Sequence, residues 1–402
     1  MSEHKLAFYE FFAGGGMARI GLGPRWHCTF ANDCCEKKAR SYRSNFGDAP
    51  ELVVRDIRKL KASDLPGMPS LVWASFPCQD LSLAGNGEGL SGDRSGTFWS
   101  FWALMQDFAR VRTSVPIIVL ENVVGAISSN KGGDLRAIIT ALSGSGYHVG
   151  GLVVNAVHFL PHSRPRLFIV AVDRDTDIPD AIRSEVPNSF WHPTALRDAY
   201  ADFPSLLRAP WVWWHLPAPP IRTGTLADLV EEDPTGVEWH TASETSRLLA
   251  MMSPSNIQKV QQAKRLGKRI IGTVYRRTRA DEAGKRVQRA EVRFDQVSGC
   301  LRTPAGGSSR QTILVVRGNS IRSRLLSPRE AARLMGVPDT YNLPENYNEA
   351  YHLMGDGVVV PVVSWLETHL LRRLVEPKKI VSGASWREWT ADNHSLRAAS
   401  AD

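Results

Sequence analysis

The stretch LAFYEFFAGGG, from Leu6 to Gly16, decides the fold. It opens an apolar run from Leu6 to Ala13 that is typical of a strand buried on both faces of a parallel sheet. The three glycines that follow permit a tight turn into a helix and a close approach between the backbone and a ligand. A strand that turns directly into a helix is the first unit of an α/β domain.

Six further strand-like runs continue this pattern along the N-terminal region. They are His27–Asn32, Leu52–Ile57, Leu71–Phe76, Ile117–Glu121, Leu152–Phe159 and Leu167–Val172. Helix-like segments between them are Cys34–Phe46, Thr97–Val111 and Asp134–Leu142. The alternation predicts a doubly wound α/β domain built on a mainly parallel sheet.

Acidic residues stand where two of these runs end. Asp33 closes the second run and Asp56 ends the third. Open α/β sheets bind ligands at the carboxyl ends of their strands, where an acid can accept hydrogen bonds from ribose hydroxyls. Neither GxGxxG nor GxxxxGK[ST] is present, which disfavours a dinucleotide or a nucleoside triphosphate. A nucleoside ligand without a phosphate site remains open, as does an ordinary tight turn at the glycines.

Two more strand ends carry reactive groups. Pro77-Cys78-Gln79 ends the fourth run and precedes a glycine-rich segment up to Gly96. A cysteine in this position suits a nucleophile under a mobile lid, with a buried, inert thiol as the alternative. Glu121 ends the fifth run, where it would face the same crevice or serve as a helix N-terminal acid.

Arg164 and Arg166 directly precede the seventh run. Side chains two residues apart point the same way on an extended chain, so this pair could clamp a phosphate or orient a carboxylate. A pair of surface arginines is the alternative. Near the C-terminus, Met354–Val359 predicts a turn that feeds a helix and whose backbone N–H groups could meet a ligand.

The charge of the 402-residue chain is unevenly distributed. The formal net charge is +8, but 19 Lys and Arg against five acids lie between Asn256 and Arg333, so the remainder is mildly acidic. A basic third indicates a polyanion-binding surface, with a solvated arginine-rich face as the alternative. The sequence shows no transmembrane run, no signal-peptide core and no CxxC pair, so we expect reduced thiols, no metal and no membrane.

The composition of the sequence changes after Val172, and the alternation of strands and helices is lost. Pro187 to Pro220 contains seven prolines and four tryptophans, which we expect in a core rather than stacked on bases. The predicted division is a catalytic and cofactor-binding domain over 1–177, a second domain over 178–318, a return to the first over 319–376 and a poorly ordered tail over 377–402. Helices are expected at Ser327–Glu330 onward and at Pro361–Leu374.

The motifs together, in their order, resemble those of the cytosine-5 DNA methyltransferase family. The resemblance covers roughly residues 5–172 and 320–372. The motifs that carry it are the FFAGGG turn, Asp33, Asp56, Pro77-Cys78-Gln79, Glu121-Asn122-Val123, Arg164-x-Arg166, and the segments 324–335 and 355–358. It implies a Rossmann-like methyltransferase sheet with a smaller target-recognition domain inserted at about 178–318. It also implies that the C-terminal helix packs back beside the N-terminal strand.

The resemblance implies a chemistry for these residues. Cys78 would add to C6 of a cytosine flipped out of the duplex, and C5 would then take a methyl group from S-adenosyl-L-methionine. Glu121 would hold N3 and the exocyclic amine, Arg166 would support the base or Glu121, and Arg164 would bind near the flipped nucleotide. Cofactor contacts would come from Phe12, Ala13, Gly14, Gly16, Asp33, Asp56, Ile57, Pro77, Phe98, Asp356, Gly357 and Val358. DNA contacts are expected from Gln79, Ser82, Arg276, Arg277, Arg279 and Arg302.

Some positions depart from the family pattern. Glu10 stands where Asp is common, Met17 where Gly is, Cys34 where an aromatic is, His162 where Gln is, and Asp356 where Asn is. None of these removes a catalytic role. The expected partners are double-stranded DNA and a cognate restriction endonuclease, and the expected state is a monomer in the bacterial cytoplasm, associated with the nucleoid. Two rival functions are RNA cytosine-5 methylation and DNA binding by an inactive homologue.

Overall fold

A seven-stranded, mainly parallel sheet forms the centre of the computed structural model, which describes residues 5–77, 96–280, 284–302 and 310–376. Its strands are β1 Leu6–Phe11, β2 Trp26–Asp33, β3 Leu52–Val54, β4 Leu71–Ala74, β5 Ile117–Val123, β6 Tyr147–Asn155 and β7 Pro165–Asp173. Their order in the sheet is β3-β2-β1-β4-β5-β7-β6, with β7 antiparallel to both of its neighbours. The predicted fold class is therefore confirmed.

Helices cover both faces of this sheet. They include α1 Met17–Leu22, α2 Glu36–Phe46, α3 Thr97–Val111 and α4 Gly133–Gly144. The strands alternate their side chains between two apolar layers, because successive residues of a strand point to opposite faces. In β1, Phe8 packs into one layer, and Tyr9 and Phe11 pack into the other, beside Phe101 and Phe108 of α3.

All seven expected strands are present, but the start of the sixth was misplaced. β6 begins at Tyr147, five residues before the predicted Leu152, because the pair Gly150-Gly151 weakens the strand signal. Glycine is required at 150, since a Cβ atom there would lie 2.1 Å from the carbonyl oxygen of Val212. Residues 156–158, predicted as strand, form a short 3₁₀ turn.

The segment after β7 forms a two-stranded sheet of its own and packs into the apolar layers of the large sheet. Its elements are β8 Arg183–Ser184, α5 Thr194–Ala201, α6 Ser205–Arg208 and β9 Trp213–Trp214. Val212 N donates to Val149 O of β6 and Val153 N donates to Trp191 O. The four tryptophans of this segment are buried, as expected. The predicted boundary at 178 thus does not coincide with a change of core.

The basic part of the chain forms an antiparallel sheet. Its strands, in the order β11-β10-β12-β13, are β10 Arg269–Ala280, β11 Arg286–Arg293, β12 Thr312–Arg317 and β13 Ser320–Leu325. Three helices precede it: α7 Leu226–Leu229, α8 Ala242–Ala250 and α9 Pro254–Arg265. Residues from α8 and α9 share one apolar cluster with the sheet, including Leu248, Val260, Val274 and Leu314.

The C-terminal region returns to the large sheet. Its helices are α10 Pro328–Leu334, α11 Tyr347–Asp356, α12 Val360–Leu366, a π-helical segment Glu367–Leu371 and α13 Arg372–Val375. α12 packs against α1, where a Cβ atom at Gly21 would lie 2.4 Å from Val363, and Ser364 Oγ donates to Gly21 O. The C-terminal region therefore lies against α1, the helix that follows the N-terminal strand. None of the helices within the described ranges is long and apolar enough to span a membrane.

Candidate active site

The glycine turn after β1 is shaped by left-handed backbone. Phe12, Gly14 and Gly16 have φ values of 57°, 56° and 74°. No heavy atom lies within 4 Å of the position that a Cβ atom on Gly14 would take, so the turn borders open space. The backbone N–H of Gly14 donates to Asp33 Oδ2 at 2.9 Å, and Cys35 N donates to Oδ1 at 2.8 Å. The Asp33 carboxylate is thereby fixed beside the turn, as its position at a strand end predicts.

Asp56 lies at the next strand end along the sheet. Its side chain accepts from Arg58 N at 2.9 Å and caps the 3₁₀ turn Ile57–Lys59, in which Ile57 is buried. The Arg58 guanidinium bonds the same carboxylate and lowers the pKa of Asp56 below its usual value. On the other side of β1, Phe98 is fully buried and packs against Phe76, with ring centroids 5.6 Å apart.

The segment expected at the methionine end of the cofactor, near the C-terminus, lies next to the glycine turn. Met354–Val359 was predicted as a turn, but its first three residues are the last turn of α11 and only 357–359 connect it to α12. A Cβ atom at Gly357 would lie 2.2 Å from Met17 Sδ, so a side chain there would require Met17 to move. Tyr341 Oη also donates to Gly15 O at 2.9 Å. The two ends of the chain therefore build one cleft.

Glu121 and Arg166 form a buried ion pair. Glu121 lies inside β5, which rules out the alternative of a helix N-terminal acid, and Arg166 lies in β7 rather than before it. Arg166 Nε lies 3.1 Å from Glu121 Oε1, and the side chains are 15% and 9% exposed. The neighbouring Asn122 donates through Nδ2 to Phe76 O at 3.2 Å, directly before Pro77. The acid is thus tied to the strand end that leads into Cys78.

Arg164 has surroundings that differ from the expected ones. Its side chain is only 2% exposed, so the surface-pair alternative is wrong. Its terminal nitrogens donate to the carbonyl oxygens of Leu301, Gly355 and Gly357 at 2.8–2.9 Å. The guanidinium therefore joins the cofactor-side segment to the segment that leaves the basic sheet, and the contact with a flipped nucleotide that the resemblance implies stays a prediction.

Two residues near this arginine were not singled out as site residues from the sequence. His162 is fully buried, with Nδ1 2.9 Å from Leu334 O and Nε2 accepting from Leu301 N at 3.1 Å. Burial and Arg164 hold the pKa of His162 well below its usual value, so the ring is neutral. Cys300 Sγ lies 3.5 Å from Arg164 Nη1. Burial alone would raise the pKa of Cys300, but Arg164, Arg166 and Arg302 together lower it.

Part of the expected site lies outside the described residues. Cys78, Gln79 and Ser82 belong to the segment 78–95, and the side chain of Arg279 is likewise not described. Pro77, the residue before Cys78, is half-buried. The described ranges contain no group of three or more His, Cys, Asp or Glu side chains that could hold a metal ion.

The exposed arginines expected to bind DNA lie on a two-stranded ribbon. β10 pairs with β12 only up to Val274, whereas it pairs with β11 as far as Ala280. Residues 275–280 and 286–291 therefore extend beyond the four-stranded sheet. Arg276 and Arg277 are exposed there, as is Arg302 on the following loop. Arg277 lies 3.5 Å from Glu291 across the ribbon.

The residues of the cleft fit S-adenosyl-L-methionine. The open space beside Gly14 would accommodate the methionine and ribose parts of the ligand. The fixed Asp33 carboxylate offers acceptors for the ribose hydroxyls. Ile57 and Phe98, the residues expected at the adenine and beside it, are buried at this edge of the sheet and support it from beneath. A mainly parallel seven-stranded sheet with an antiparallel β7, a glycine turn after β1 and a buried acid–arginine pair is typical of a Rossmann-like methyltransferase.

Comparison with known proteins identifies the family. The C-5 cytosine-specific DNA methylase family matches residues 6–372, and the chain belongs to that family. The type II methyltransferase M.BsuFI of Bacillus subtilis is 25% identical over 373 residues, which span 92% of this chain and 74% of the relative. The type II methyltransferase M.HpaII of Haemophilus parainfluenzae is 25% identical over 396 residues, or 92% and 91% of the two chains. The protein is accordingly an enzyme of the methyltransferase class.

Solved structures share the fold. The Entamoeba histolytica methyltransferase EhMeth superposes with a TM-score of 0.60 at 14% identity, covering 92% of this chain and 99% of its own. The S. pombe Dnmt2 methyltransferase gives a TM-score of 0.54 at 17% identity, with coverage of 92% and 100%. The resemblance noted from the motifs is thereby confirmed for both family and fold.

Proposed function

We propose that the protein transfers a methyl group from S-adenosyl-L-methionine to C5 of a cytosine in a specific sequence of duplex DNA, through a covalent adduct with Cys78. The observation that carries this proposal is the Glu121–Arg166 pair, which Asn122 ties to the strand end before Pro77-Cys78. This arrangement supplies an acid held in a fixed orientation next to the chain position of a nucleophile.

In this mechanism, Cys78 loses its thiol proton to solvent, its sulfur forms a bond to C6, and the electron pair of the C5–C6 double bond moves to make C5 nucleophilic. Glu121 holds N3 and the exocyclic amine while charge develops on the ring, and Arg166 keeps the carboxylate oriented. S-adenosyl-L-methionine, when bound, supplies the methyl group from its sulfonium centre. Loss of the C5 proton and cleavage of the bond between sulfur and C6 restore the aromatic ring and free Cys78.

The extended ribbon supports duplex DNA as the substrate. The major groove of B-form DNA admits a two-stranded β-ribbon, whereas the major groove of A-form RNA is too narrow for side chains to read. Arg276 and Arg277 lie on the exposed part of this ribbon, where their side chains can reach the phosphates or base edges of DNA. Because the target base is paired in a duplex, it must flip out to reach Glu121.

Transfer of tritium from labelled cofactor tests the proposal. Purified protein is incubated with mixed-sequence duplex DNA and, separately, with transfer RNA, and the modified base is identified by mass spectrometry. We expect 5-methylcytosine in DNA. Methylation of RNA alone would overturn the choice of substrate, and binding of DNA without transfer to either would point to an inactive homologue. The relatives' type II names support the further proposal of a cognate restriction endonuclease in the same bacterial cytoplasm.

A further inference from the structure

An ion pair spans the cleft that is proposed for the cofactor. Lys38 Nζ lies 2.9 Å from Asp356 Oδ2, and the two side chains are 26% and 40% exposed. Lys38 lies in the first half of α2, the helix that follows Asp33. Asp356 is the last residue of α11, directly before Gly357. The pair therefore joins the chain segment expected at the ribose to the segment expected at the methionine end.

The ammonium group of Lys38 lies near both acids of this region. Burial by itself would lower the pKa of Lys38, yet the pKa is raised because the Asp356 and Asp33 carboxylates act on it together. Asp33 in turn is hydrogen-bonded to Gly14 in the glycine turn. Lys38 is thus charged and interacts with both Asp356 and Asp33, while Lys37 on the same helix pairs with Glu349 in the first turn of α11.

The charges of Lys38 and Asp356 are opposite to those at the amino-acid end of the cofactor. Asp356 places a negative charge at this edge of the cleft, on a side chain that is 40% exposed. The methionyl end of S-adenosyl-L-methionine is a zwitterion that carries its own carboxylate and ammonium. An aspartate alone would repel that carboxylate, whereas a lysine and an aspartate side by side present one charge for each end of an amino acid.

We propose that Lys38 and Asp356 recognise the amino-acid end of the cofactor, with the Lys38 ammonium binding the α-carboxylate and the Asp356 carboxylate binding the α-ammonium. An ammonium group carries three N–H donors and a carboxylate about four acceptor positions, so their mutual contact leaves geometric room for a ligand. The inference rests on the proposed function, because it takes the ligand to be S-adenosyl-L-methionine.

Two ligands separate this role from a structural one. S-adenosyl-L-homocysteine contains the amino-acid end, whereas 5′-methylthioadenosine has the same adenosine and thioether but lacks it. Isothermal titration of each ligand, without DNA, compares the native protein with Lys38→Met. We expect the Kd for S-adenosyl-L-homocysteine to rise about tenfold or more, as for loss of a hydrogen bond between charged groups, and the Kd for 5′-methylthioadenosine to stay within about twofold.

Lys37→Met is the matched control, because the Lys37–Glu349 pair has the same 2.9 Å separation and joins the same two helices. It should leave both Kd values unchanged. An equal loss of affinity for both ligands in Lys38→Met would show that the pair only holds the helices together and would overturn the proposal, as would no loss for either. Failure of the native protein to bind S-adenosyl-L-homocysteine at all would instead overturn the proposed function, and this inference with it.

Discussion

Arg166 Nε lies 3.1 Å from Glu121 Oε1 across two antiparallel strands of the large sheet. The backbones of β5 and β7 fix both residues, so the carboxylate is oriented before any substrate arrives. Pre-orientation of a charged group in a site shielded from water strengthens its interaction with charge that develops during a reaction. In the proposed mechanism, the pair would therefore let one glutamate both bind a cytosine and support its activation.

Replacing the arginine of this pair should impair chemistry more than cofactor binding. We expect Arg166→Met to lower the rate of methyl transfer by about 100-fold or more, because Glu121 loses its orienting partner. The affinity for S-adenosyl-L-homocysteine should be unchanged. The control is Arg55→Met, which breaks the exposed Arg55–Asp64 pair of 3.2 Å. Near-normal transfer by Arg166→Met would show that the pair has no catalytic role.

Removing Arg164 should destabilise the fold. Its terminal nitrogens donate hydrogen bonds to three main-chain carbonyl oxygens, and Arg164→Met leaves these acceptors without that donor. The expected loss in the free energy of unfolding is on the order of 3 kcal/mol, measured by urea denaturation. Arg208→Met, at an exposed position, should cost little. Unchanged stability together with weakened DNA binding would instead support the nucleotide contact that the resemblance implies for Arg164.

Glu10 should make stability depend on pH. Burial beneath the glycine turn raises the pKa of Glu10 to about 8, although backbone N–H groups of Ala18 and Arg19 and the charge of Arg19 oppose the shift. A carboxyl group whose pKa is raised on folding keeps its proton in the native state. The native protein should therefore lose stability as pH rises from about 4.5 to about 8, by up to about 5 kcal/mol from this group.

The variant Glu10→Gln isolates this contribution, because the amide keeps an acceptor oxygen and cannot ionise. Urea denaturation at pH 6 and pH 8.5 should show a smaller fall in the variant than in the native protein. Parallel pH profiles for the two proteins would mean that Glu10 is ionised throughout and that the buried carboxylate is fully compensated.

The ribbon should set the salt dependence of DNA binding. If Arg276 and Arg277 contact phosphates, each alanine variant should reduce the slope of log K against log salt by roughly 0.9. Arg110→Ala, an exposed arginine on α3, should leave the slope unchanged. If the ribbon is only a solvated face, the variants at 276 and 277 would behave like that control.

The sequence predicted the sheet well because each strand is marked by a local apolar run. Thr97–Val111 was predicted to the residue, since its apolar positions recur at helical spacing. Asp33 and Glu121 were found because the carboxyl ends of parallel strands meet at one edge of a sheet.

Residues whose roles depend on distant contacts were missed. His162 meets Leu301, 139 positions later, and Lys38 meets Asp356, which lies on a helix far along the chain. No local pattern distinguishes such residues: a lysine early in a polar helix looks solvated until the partner helix is in place. Arg164 was singled out from the sequence, but its carbonyl partners were not, because they come from two separate segments.

Bisulfite sequencing of DNA from a bacterial host that lacks cytosine-5 methylation tests the central claim most directly. Cells expressing the native protein are compared with cells expressing Cys78→Ala at equal levels of soluble protein. The account predicts cytosine methylation at every copy of one short sequence with the native protein and none with the variant. Unmethylated DNA in both, or methylation that persists in Cys78→Ala, would contradict it.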